Sequence, residues 1–499
     1  MKLRYLFTLS LLTLLRAADS SAQQGAFKVH LSAQRAEIPG THVSEDANDF
    51  FTASFQAGTR DSSGHFLGGT ELMNIVAYKD WRGVARLYAA NGYGLETPGN
   101  AGRSAPQLMV LDSPRGRWRQ EHAFSELLPN GSQKLRRISA LKAITFTSDG
   151  HGNSLSHPVS RLLVGLTPTL GYSGAVFVWD DKKDVWTKRQ SNHHTIRAFG
   201  FYRDPITGAD MVFSGDGDPD TVFTGKKALT ARGGGSISSG VYDPSVRGGI
   251  RWNARPETTG VTNRIMAFVE CDNQLYFASK PAIYQRENGT NPTWRKVYSY
   301  SEDSIPKLSS GLRGLTCIAD PEGKGEVILA VMEGRGEVLR INPRTGAATT
   351  EFRIGPAVRK LWKNDGHVPR FYLAGAYNDM PTVSDPTTHE RLHVIGLSFE
   401  CLSNDLCFPQ GKDNSTFYLT RDMRAQYKLF EVKPLPHPTL GSNPRLVAVR
   451  AIVESPFPEE AGKILYLGGY DSYNRTSHNT AWIYKVGLTT ALSNGISLN

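Results

Sequence analysis

Basic residues recur at matching places along this chain, where they could bind anionic groups. Each stands just before a small or apolar pair near the start of a predicted strand: Lys142, Arg197, Arg264, Arg313, Arg359 and Arg450, with Asn74 at the corresponding place in the first repeat. Like charges that lie close together repel strongly unless they are paired, since burial lowers the effective dielectric constant. Whether these basic residues stabilise the fold or bind a ligand therefore depends on which negative charges pair with them.

Carboxylates in neighbouring loops are one source of counter-charge. By position in the repeat they are Asp216, Asp218 and Asp220 for Arg197, Glu333 for Arg313, Asp379 for Arg359 and Asp471 for Arg450. Such pairs would be structural salt bridges. The loops show no acidic residue at the matching place for Lys142 or Arg264, so an anionic ligand group is the other source. Both interpretations stay open, because ion-pair networks occur in scaffolds as well as in functional sites.

Tyrosines recur in the same loops. Four of them follow a small residue, namely Tyr93, Tyr172, Tyr377 and Tyr470. A tyrosine ring is a rigid apolar plate with a polar tip, which suits sugar rings and other flat polar ligands. The alternative is that these rings cap the cores of the sheets and hold glycine-rich loops in place.

Two histidines could add acid–base chemistry at the same rim. His194 precedes the third repeat, and His478 lies in the last rim loop. A histidine that titrates near neutral pH can serve as general base or acid, while an arginine neutralises a substrate carboxylate and acidifies the neighbouring carbon. His194, His478, Tyr377 and Arg264 are therefore the predicted catalytic set, for β-elimination. The alternative is that these histidines only form hydrogen bonds.

One segment alternates carboxylates as calcium loops do. It runs from Asp216 through Asp218 to Asp220. It lacks the glycine and the distal glutamate that an EF-hand requires. Calcium at these three residues is the single cofactor candidate, because no cysteine or histidine spacing matches a structural zinc site.

A unit of four short strands recurs seven times and must position these side chains. The second strands are the easiest to recognise, and they begin at Leu87, Leu162, Met211, Leu275, Ile328, Phe371 and Leu465. A third strand follows each of them, and a fourth strand with an aromatic residue closes all units but the last. Short strands rich in β-branched and aromatic residues, separated by Gly, Pro, Asn and Asp, are typical of antiparallel meanders.

Such sheets must hide their edges, and radial packing around an axis does so. The segment from Phe50 to Gln56 is expected to supply the missing strand of the last unit. The sequence therefore predicts an all-β, seven-bladed β-propeller over residues 23–490, closed by an N-terminal strand and followed by a tail at 491–499. The innermost strands would line a channel and bring the predicted site residues to one opening. An open β-solenoid is the alternative.

The first residues predict export. Lys2 and Arg4 precede an apolar run from Leu6 to Leu15, and a small-residue cleavage site follows, so residues 1–22 are interpreted as a signal peptide. The run is shorter than the roughly 20 residues that a membrane-spanning helix needs. We therefore expect a secreted or periplasmic protein without a membrane span.

The net charge indicates what kind of partner the protein binds, and the cysteines allow a disulfide. The formal charge is +10, and loss of Lys2, Arg4, Arg16 and Asp19 with the signal peptide removes a net two, leaving +8. The basic residues are dispersed and form no nucleic-acid motif, so we expect an acidic or polar polysaccharide as partner, no nucleic acid, and a monomer. Cys271 and Cys317 are either bridged or simply buried.

Three segments carry a family resemblance. Phe55 to Glu71, Ala376 to Met380 and His478 to Trp482 resemble a group of exported bacterial propeller proteins of unknown activity. In architecture the chain is similar to seven-bladed polysaccharide lyases such as the ulvan lyases, whose sites use His, Tyr and Arg on one face. The resemblance implies the fold and export, and it transfers no function.

Three functions stay open at this point. The first is a binding module for an acidic or polar glycan at the channel mouth. The second is a polysaccharide lyase or hydrolase that uses the predicted catalytic set. The third is a protein-interaction scaffold that uses the outer sheet edges and the long insertion from Met380 to Gln410; exposed apolar patches would be its mark.

Overall fold

β-strands make up nearly all of the regular structure. The computed structural model describes residues 51–92, 105–169, 171–191, 193–217, 222–224, 227–229, 234–261, 264–289, 291–301, 311–364, 371–377, 380–401, 415–436, 445–471, 480–493 and 495–498. The repeating unit is a four-stranded antiparallel meander. No helix within these ranges has the length and apolar character needed to cross a membrane.

Strand β1 (Thr52–Phe55) comes first and joins the last sheet. The first sheet contains β2 (Leu72–Lys79), β3 (Ala85–Asn91), β4 (Gln107–Leu111) and β5 (Arg119–Ala123). The second contains β6 (Leu135–Ser148), β7 (Ser154–Pro168), β8 (Ala175–Asp180) and β9 (Val185–Gln190). The third contains β10 (Thr195–Arg203), β11 (Asp210–Gly217), β14 (Gly235–Tyr242), β15 (Ile250–Trp252) and β16 (Thr258–Val261), with the separate hairpin β12 (Val222–Thr224) and β13 (Lys227–Leu229) between β11 and β14.

Two further four-stranded sheets precede a larger one. The fourth sheet contains β17 (Ile265–Cys271), β18 (Gln274–Ser279), β19 (Ala282–Glu287) and β20 (Thr293–Ser299). The fifth contains β21 (Leu312–Ala319), β22 (Glu326–Met332), β23 (Glu337–Ile341) and β24 (Ala348–Arg353). Helix α1 (Ile354–Asn364) follows, and then come β25 (Phe371–Tyr377), β26 (Thr382–Ser384), β27 (Arg391–Cys401), β28 (Thr416–Arg421), β29 (Tyr427–Val432), β30 (Leu446–Glu454), β31 (Ile464–Asp471), β32 (Ala481–Gly487), helix α2 (Leu488–Ser493) and β33 (Ile496–Ser497).

Eight strands of the ten-stranded sheet form two meanders, while β26 pairs with β27 and β33 pairs with β29. One is β25, β27, β28 and β29, and the other is β30, β31, β32 and β1. They are joined through the pair Ser398 and Ala448. Thr52 of β1 pairs with Lys485 of β32, which confirms that the N-terminal segment supplies the missing strand of the last unit.

The first strands of the meanders contact one another in a closed cycle. The order is β2, β6, β10, β17, β21, β25, β30 and back to β2. A cycle of antiparallel sheets around their innermost strands is the arrangement of a β-propeller. Strands from distant parts of the sequence therefore surround one axis.

Glycines on the second strands set the distance between neighbouring sheets. A Cβ atom at Gly165 would lie 2.6 Å from Cγ2 of Ile196 on the next sheet, and one at Gly215 would lie 2.5 Å from Cγ2 of Ile265. Each missing side chain leaves the space that a branched apolar residue of the following inner strand fills. Close packing of this kind holds the sheets at a fixed separation.

The unit before the last differs from the sequence prediction. Phe371–Tyr377 is the first strand of this unit and not its second, because the second strand is Arg391–Cys401, inside the predicted insertion. Arg359 was expected on an inner strand and is an exposed residue of α1. The physical reason is the spacing of Ile354, Val358 and Trp362, which follows the period of a helix and buries one face in the core.

The C-terminal residues are also part of the fold. Ala491 and Leu492 of α2 are buried. Ile496 pairs with Leu429, so β33 adds a strand beside β29. The segment predicted as a tail therefore packs against the sheet that contains β29.

A disulfide connects two neighbouring inner strands. Cys271 of β17 is bonded to Cys317 of β21, with their Cα atoms 5.3 Å apart. This decides the question that the sequence left open for these two residues. A disulfide is favoured in an oxidising compartment, which agrees with the predicted export.

We predict that Gly468→Ala destabilises the contact that closes the cycle. A Cβ atom there would overlap Cδ2 of Leu72, and overpacking of this kind costs about 1–3 kcal/mol. Unfolding in urea measures the loss. Adding Leu72→Ala should relieve the overlap, so the double variant should lose less than the sum of the single variants. Gly487→Ala is the matched control, since its nearest neighbour, Oγ1 of Thr490, is 3.9 Å away. Additive losses would contradict the packing described.

We predict an acid-sensitive stability that depends on His393. Burial, with Arg421 and Arg391 nearby, lowers the pKa of His393 to about 4. Between about pH 6.5 and 4 the unfolded chain binds a proton that the native state does not, so the free energy of unfolding falls as the pH falls through this window. The full effect is about 3 kcal/mol. Unfolding in urea at several pH values measures this dependence, and His393→Gln should remove it. His151→Gln, at an exposed position, is the control and should keep the dependence. An unchanged pH dependence in His393→Gln would refute the assignment.

Candidate functional site

A β-bulge occurs near the start of each inner strand of the cycle. At the matching place in each strand the bulge residues are Met73, Ser139, Arg197, Met266, Arg313, Tyr372 and Arg450, and β6 and β30 contain further register shifts. A bulge places an extra residue on one strand and re-aims its side chain. Three of these seven bulge residues are arginines.

The three bulge arginines come from different sides of the cycle. Arg197 is on β10, Arg313 on β21 and Arg450 on β30. One inner strand stands between the first two, another between the second and third, and two between the third and the first. The guanidinium groups thus belong to sheets distributed around the axis.

Two more arginines join them, and we call the five residues the arginine cluster: Arg137, Arg197, Arg264, Arg313 and Arg450. Burial lowers the pKa of Arg197 well below its ordinary value, and the positive charges of the other four lower it further. Arg197 nevertheless keeps part of its surface accessible to water. Arg197 is therefore only partly shielded from solvent.

Glutamates contact two members of the cluster. Arg313 and Glu333 form an ion pair in which both side chains are buried, as the sequence predicted. Arg450 donates a hydrogen bond from Nη1 to Oε2 of Glu71 over 2.8 Å. Burial alone would raise the pKa of Glu71, but Arg450, Arg137 and Arg197 lower it below its usual range.

A tyrosine packs on the Arg450 guanidinium. Its Cζ atom lies 4.7 Å from the centre of the Tyr470 ring, within the range of a cation–π interaction. Tyr470 is thus in contact with the arginine cluster, and its role in ligand binding stays a prediction. The acidic partner that the structure describes for Arg450 is Glu71, and the side chain of Asp471 lies outside the described residues.

Asp216 has an internal role. Its Oδ1 accepts hydrogen bonds from the backbone N (2.9 Å) and the Oγ (2.6 Å) of Ser236, and its Oδ2 accepts one from Oγ of Ser191. These donors compete with a calcium ion for the same oxygens. Asp218 and Asp220 lie outside the described residues, so calcium stays a prediction.

Three predicted cations are not at bulge positions. Lys142 pairs with Leu163, three residues beyond the bulge of its strand. Arg264 lies one residue before β17, where it still reaches Arg197 electrostatically, and it has interaction partners of its own. Arg359 is in α1. The repeated small or apolar pair therefore did not mark structural equivalence, whereas the apolar residue directly before the bulge does.

Sequence reasoning missed two members of this region. Arg137 stands two residues before the bulge at Ser139, and Glu71 directly precedes β2. The recurring apolar residue before the bulge could have aligned Arg137 with the cluster. No sequence signal pairs Glu71 with Arg450, because they are 379 positions apart.

The structure describes two of the four predicted catalytic side chains. The Nδ1 atom of His194 lies 3.2 Å from the carbonyl oxygen of Tyr172. A carbonyl only accepts hydrogen bonds, so this contact requires the proton on Nδ1, and a neutral ring then has its lone pair on Nε2. Arg264 is the second. Tyr377 ends β25 with its side chain outside the described residues, and His478 lies outside them entirely.

The remaining predicted tyrosines differ in setting. Tyr172 is 41% exposed, and Nζ of Lys134 lies 5.8 Å from the centre of its ring. Its ring is therefore available to a flat ligand. Tyr93 lies outside the described residues.

A separate cleft opens toward the other ends of the same inner strands. It has a volume of 670 Å³ and is lined by residues that include Lys79, Asp112, Ile144 and Phe457. Asp112 already forms ion pairs with Arg86 and Arg119. We place the candidate site at the arginine cluster and not in this cleft, because like charge is concentrated only at the former of these two places.

Comparison with known proteins gives no family and only weak structural similarities. No protein-family model and no curated protein matches this chain. The solved structures similar to it include the α-L-arabinofuranosidase Arb93A from Fusarium graminearum in complex with an iminosugar inhibitor (TM-score 0.42, 9% identity, 88% of this chain and 98% of that chain), the Dos1 propeller (TM-score 0.38, 10% identity, 87% and 96%) and NanB with Optactamide (TM-score 0.37, 12% identity, 89% and 71%). Similarities this low carry no argument about function, and the resemblance to ulvan lyases stays a prediction.

We predict that Glu71→Gln lowers the free energy of unfolding by about 1–3 kcal/mol. The reason is that Arg450 loses its ionised partner in a region already rich in positive charge. Added sulfate should restore more stability to this variant than to the unmodified protein, since an anion can replace the lost charge. Thermal melting in chloride and sulfate at equal ionic strength measures this. Glu322→Gln, which removes an exposed glutamate paired with Lys324 and Arg340, controls for general salt effects. Equal sulfate responses in both variants would contradict the prediction.

Proposed function

We propose that this protein is an exported, seven-bladed β-propeller that binds an acidic polysaccharide at the arginine cluster. The observation that carries the proposal is the environment of Arg197, whose four largest charge interactions are all with other arginines. A guanidinium stays protonated at neutral pH. Glu71 and Glu333 offset part of this repulsion, and a bound anion would offset more of it without loss of a proton.

The cyclic order of the inner strands supports the count of seven blades. Two blades form the ten-stranded sheet, which is continuous only through the pair Ser398 and Ala448. Strand β1 completes the last blade from the N-terminal end of the chain. Joining the two ends of the chain in one sheet is an efficient way to close a ring of sheets.

A polysaccharide suits the surroundings of the cluster. The Tyr470 ring packs on Arg450, and Tyr172 and His194 lie together where the second and third sheets meet. Tyrosine plates beside guanidinium groups fit the rings and the acidic substituents of a glycan at once. The predicted signal peptide and the excess of positive charge agree with an exported protein that meets acidic polymers.

A polysaccharide lyase is the second candidate, because the contact between Nδ1 of His194 and the carbonyl oxygen of Tyr172 fits the tautomer that a base requires. With its proton on Nδ1, Nε2 can accept the proton from the carbon beside a uronate carboxylate. The electron pair left on that carbon forms a carbon–carbon double bond as the carbon–oxygen bond to the leaving sugar breaks. The leaving oxygen takes the electron pair of the broken bond and a proton from water. An arginine of the cluster would stabilise the charge that develops on the carboxylate.

Binding to immobilised polysaccharides tests the proposal. We expect retention on uronate-containing or otherwise acidic polymers, little on neutral ones, and a steep decrease with added salt. Arg197→Met should weaken binding at least about tenfold, roughly the 1.4 kcal/mol expected for a lost charge-assisted contact. Arg295→Met is the control, since Arg295 is an exposed residue on β20 outside the cluster.

Equal retention on neutral polymers, or no effect of Arg197→Met, would refute glycan binding at this site. Ultraviolet absorbance of new unsaturated ends separates the two candidates. A binding module produces none, whereas a lyase produces them and loses the activity in His194→Ala.

A further inference from the structure

We infer that Asn130 is an acceptor site for an N-linked glycan, attached on the export route of the chain. The inference goes beyond the proposed function, because it does not depend on what the arginine cluster binds. It comes from the different surroundings of two copies of one sequence motif.

The motif is Asn-x-Ser/Thr, in which the asparagine amide accepts the sugar and the third residue supplies a hydroxyl group. The chain contains this motif at Asn130, Asn288, Asn414 and Asn474. The side chains of Asn414 and Asn474 lie outside the described residues. The structure therefore allows a comparison of Asn130 with Asn288.

Asn130 lies at the tip of a short hairpin between β5 and β6. The backbone N of Leu128 donates to the carbonyl oxygen of Ser132, and the backbone N of Gly131 donates to that of Leu128, each over 2.8 Å. Asn130 and Gly131 are exposed. A Cβ atom on Gly131 would have no heavy atom within 4 Å, so there is open space for a sugar beside the acceptor.

The Asn130 side chain is turned so that its amide nitrogen is the outer atom. Its Oδ1 accepts hydrogen bonds from the backbone N (3.1 Å) and the Oγ (2.7 Å) of Ser132, which is the geometry of an Asx-turn. These two donors hold the oxygen toward the backbone. Within the described part of the chain Nδ2 donates no hydrogen bond. Replacing one of its hydrogens by a sugar therefore breaks no hydrogen bond described for the native fold.

The amide of Asn288 is occupied by contacts within the protein. Its Nδ2 donates to the hydroxyl of Tyr202 (2.9 Å) and to Oε1 of Gln274 (3.2 Å), and its Oδ1 accepts from Nη1 of Arg286 (2.6 Å). A sugar leaves one hydrogen on Nδ2, so at least one of the two donated bonds would be lost and its partner displaced. We therefore expect the native protein to carry a glycan at Asn130 and none at Asn288.

The donor belongs to the class of lipid-diphosphate-linked oligosaccharides, and a membrane-bound transferase catalyses the step. A bond forms between Nδ2 of Asn130 and the anomeric carbon of the first sugar. The bond from that carbon to the diphosphate oxygen breaks, and the lipid diphosphate leaves with the electron pair. The proton lost by Nδ2 passes to a base of the transferase. The predicted signal peptide would bring the chain to the compartment in which this reaction takes place.

Secretion of the full chain from yeast tests the inference. Protein from the medium is treated with peptide N-glycosidase in heavy-oxygen water, which converts each glycosylated asparagine into a labelled aspartate that peptide mass spectrometry locates. We expect the label at Asn130 and none at Asn288. Circular dichroism of the secreted protein confirms that it is folded.

Variants assign the glycan to the hairpin tip. Asn130→Gln and Ser132→Ala should each increase the electrophoretic mobility by the loss of one glycan, and Ser132→Thr should keep the mobility of the unmodified protein because it retains the hydroxyl group. Thr290→Ala is the matched control, since it removes the motif at Asn288 by sequence. It should leave the mobility unchanged.

An unlabelled Asn130 in the secreted protein would overturn the inference, and so would a labelled Asn288 in the folded protein. Retention of the chain outside the secretory route overturns it as well, because attachment requires export. None of these results bears on binding at the arginine cluster, which the retention experiments test separately.

Discussion

The distance between adjacent sheets depends on apolar side chains that fill the space left by glycines. Ile196 occupies the space beside Gly165, and Ile265 occupies the space beside Gly215. Because protein interiors are close-packed, this contact holds two sheets at a separation that a single methyl group would change. The contact between Leu72 and Gly468 does the same where the last sheet meets the first, so the cycle closes on the same principle.

This packing also determines where charge accumulates. The apolar residue that enters the neighbouring sheet stands directly before the bulge, as Ile196 and Ile265 do, so this contact fixes the place of the bulge residue on the inner strand. In three sheets that residue is an arginine. The core thus holds like charges together against their repulsion, with Glu71 and Glu333 offsetting part of it. We propose that an anionic ligand offsets the rest.

The strand pattern was predictable from the sequence where strands are short and turns are marked by glycine and proline. The closing strand near Phe55 was found in this way. The prediction was wrong around Arg359, where an amphipathic helix stands in place of the expected inner strand and the second strand, Arg391–Cys401, was taken for an insertion. An apolar run of such length does not by itself distinguish a strand from a loop insertion.

The candidate site was only partly accessible to the same reasoning. Arg197, Arg313 and Arg450 were found because the repeat carries them, and Arg137 and Glu71 were missed. A bulge shifts the register by one residue and re-aims the side chains near it, which changes what faces the channel. Alignment by neighbouring small residues therefore placed Lys142 beside the bulge arginines, although it lies three positions beyond the bulge of its own strand.

The sequence by itself determined the class of structure, the repeated unit and the residues from which an anion site could be built, because strand propensity and turn residues act locally. Only the tertiary structure decided which of these residues meet. Glu71 and Arg450 belong to opposite ends of the chain and pair because the cycle closes between β30 and β2. Cys271 and Cys317 bond because their strands are neighbours around the axis. Contacts between sheets depend on the packing of side chains that are far apart in sequence, and no local pattern encodes that distance.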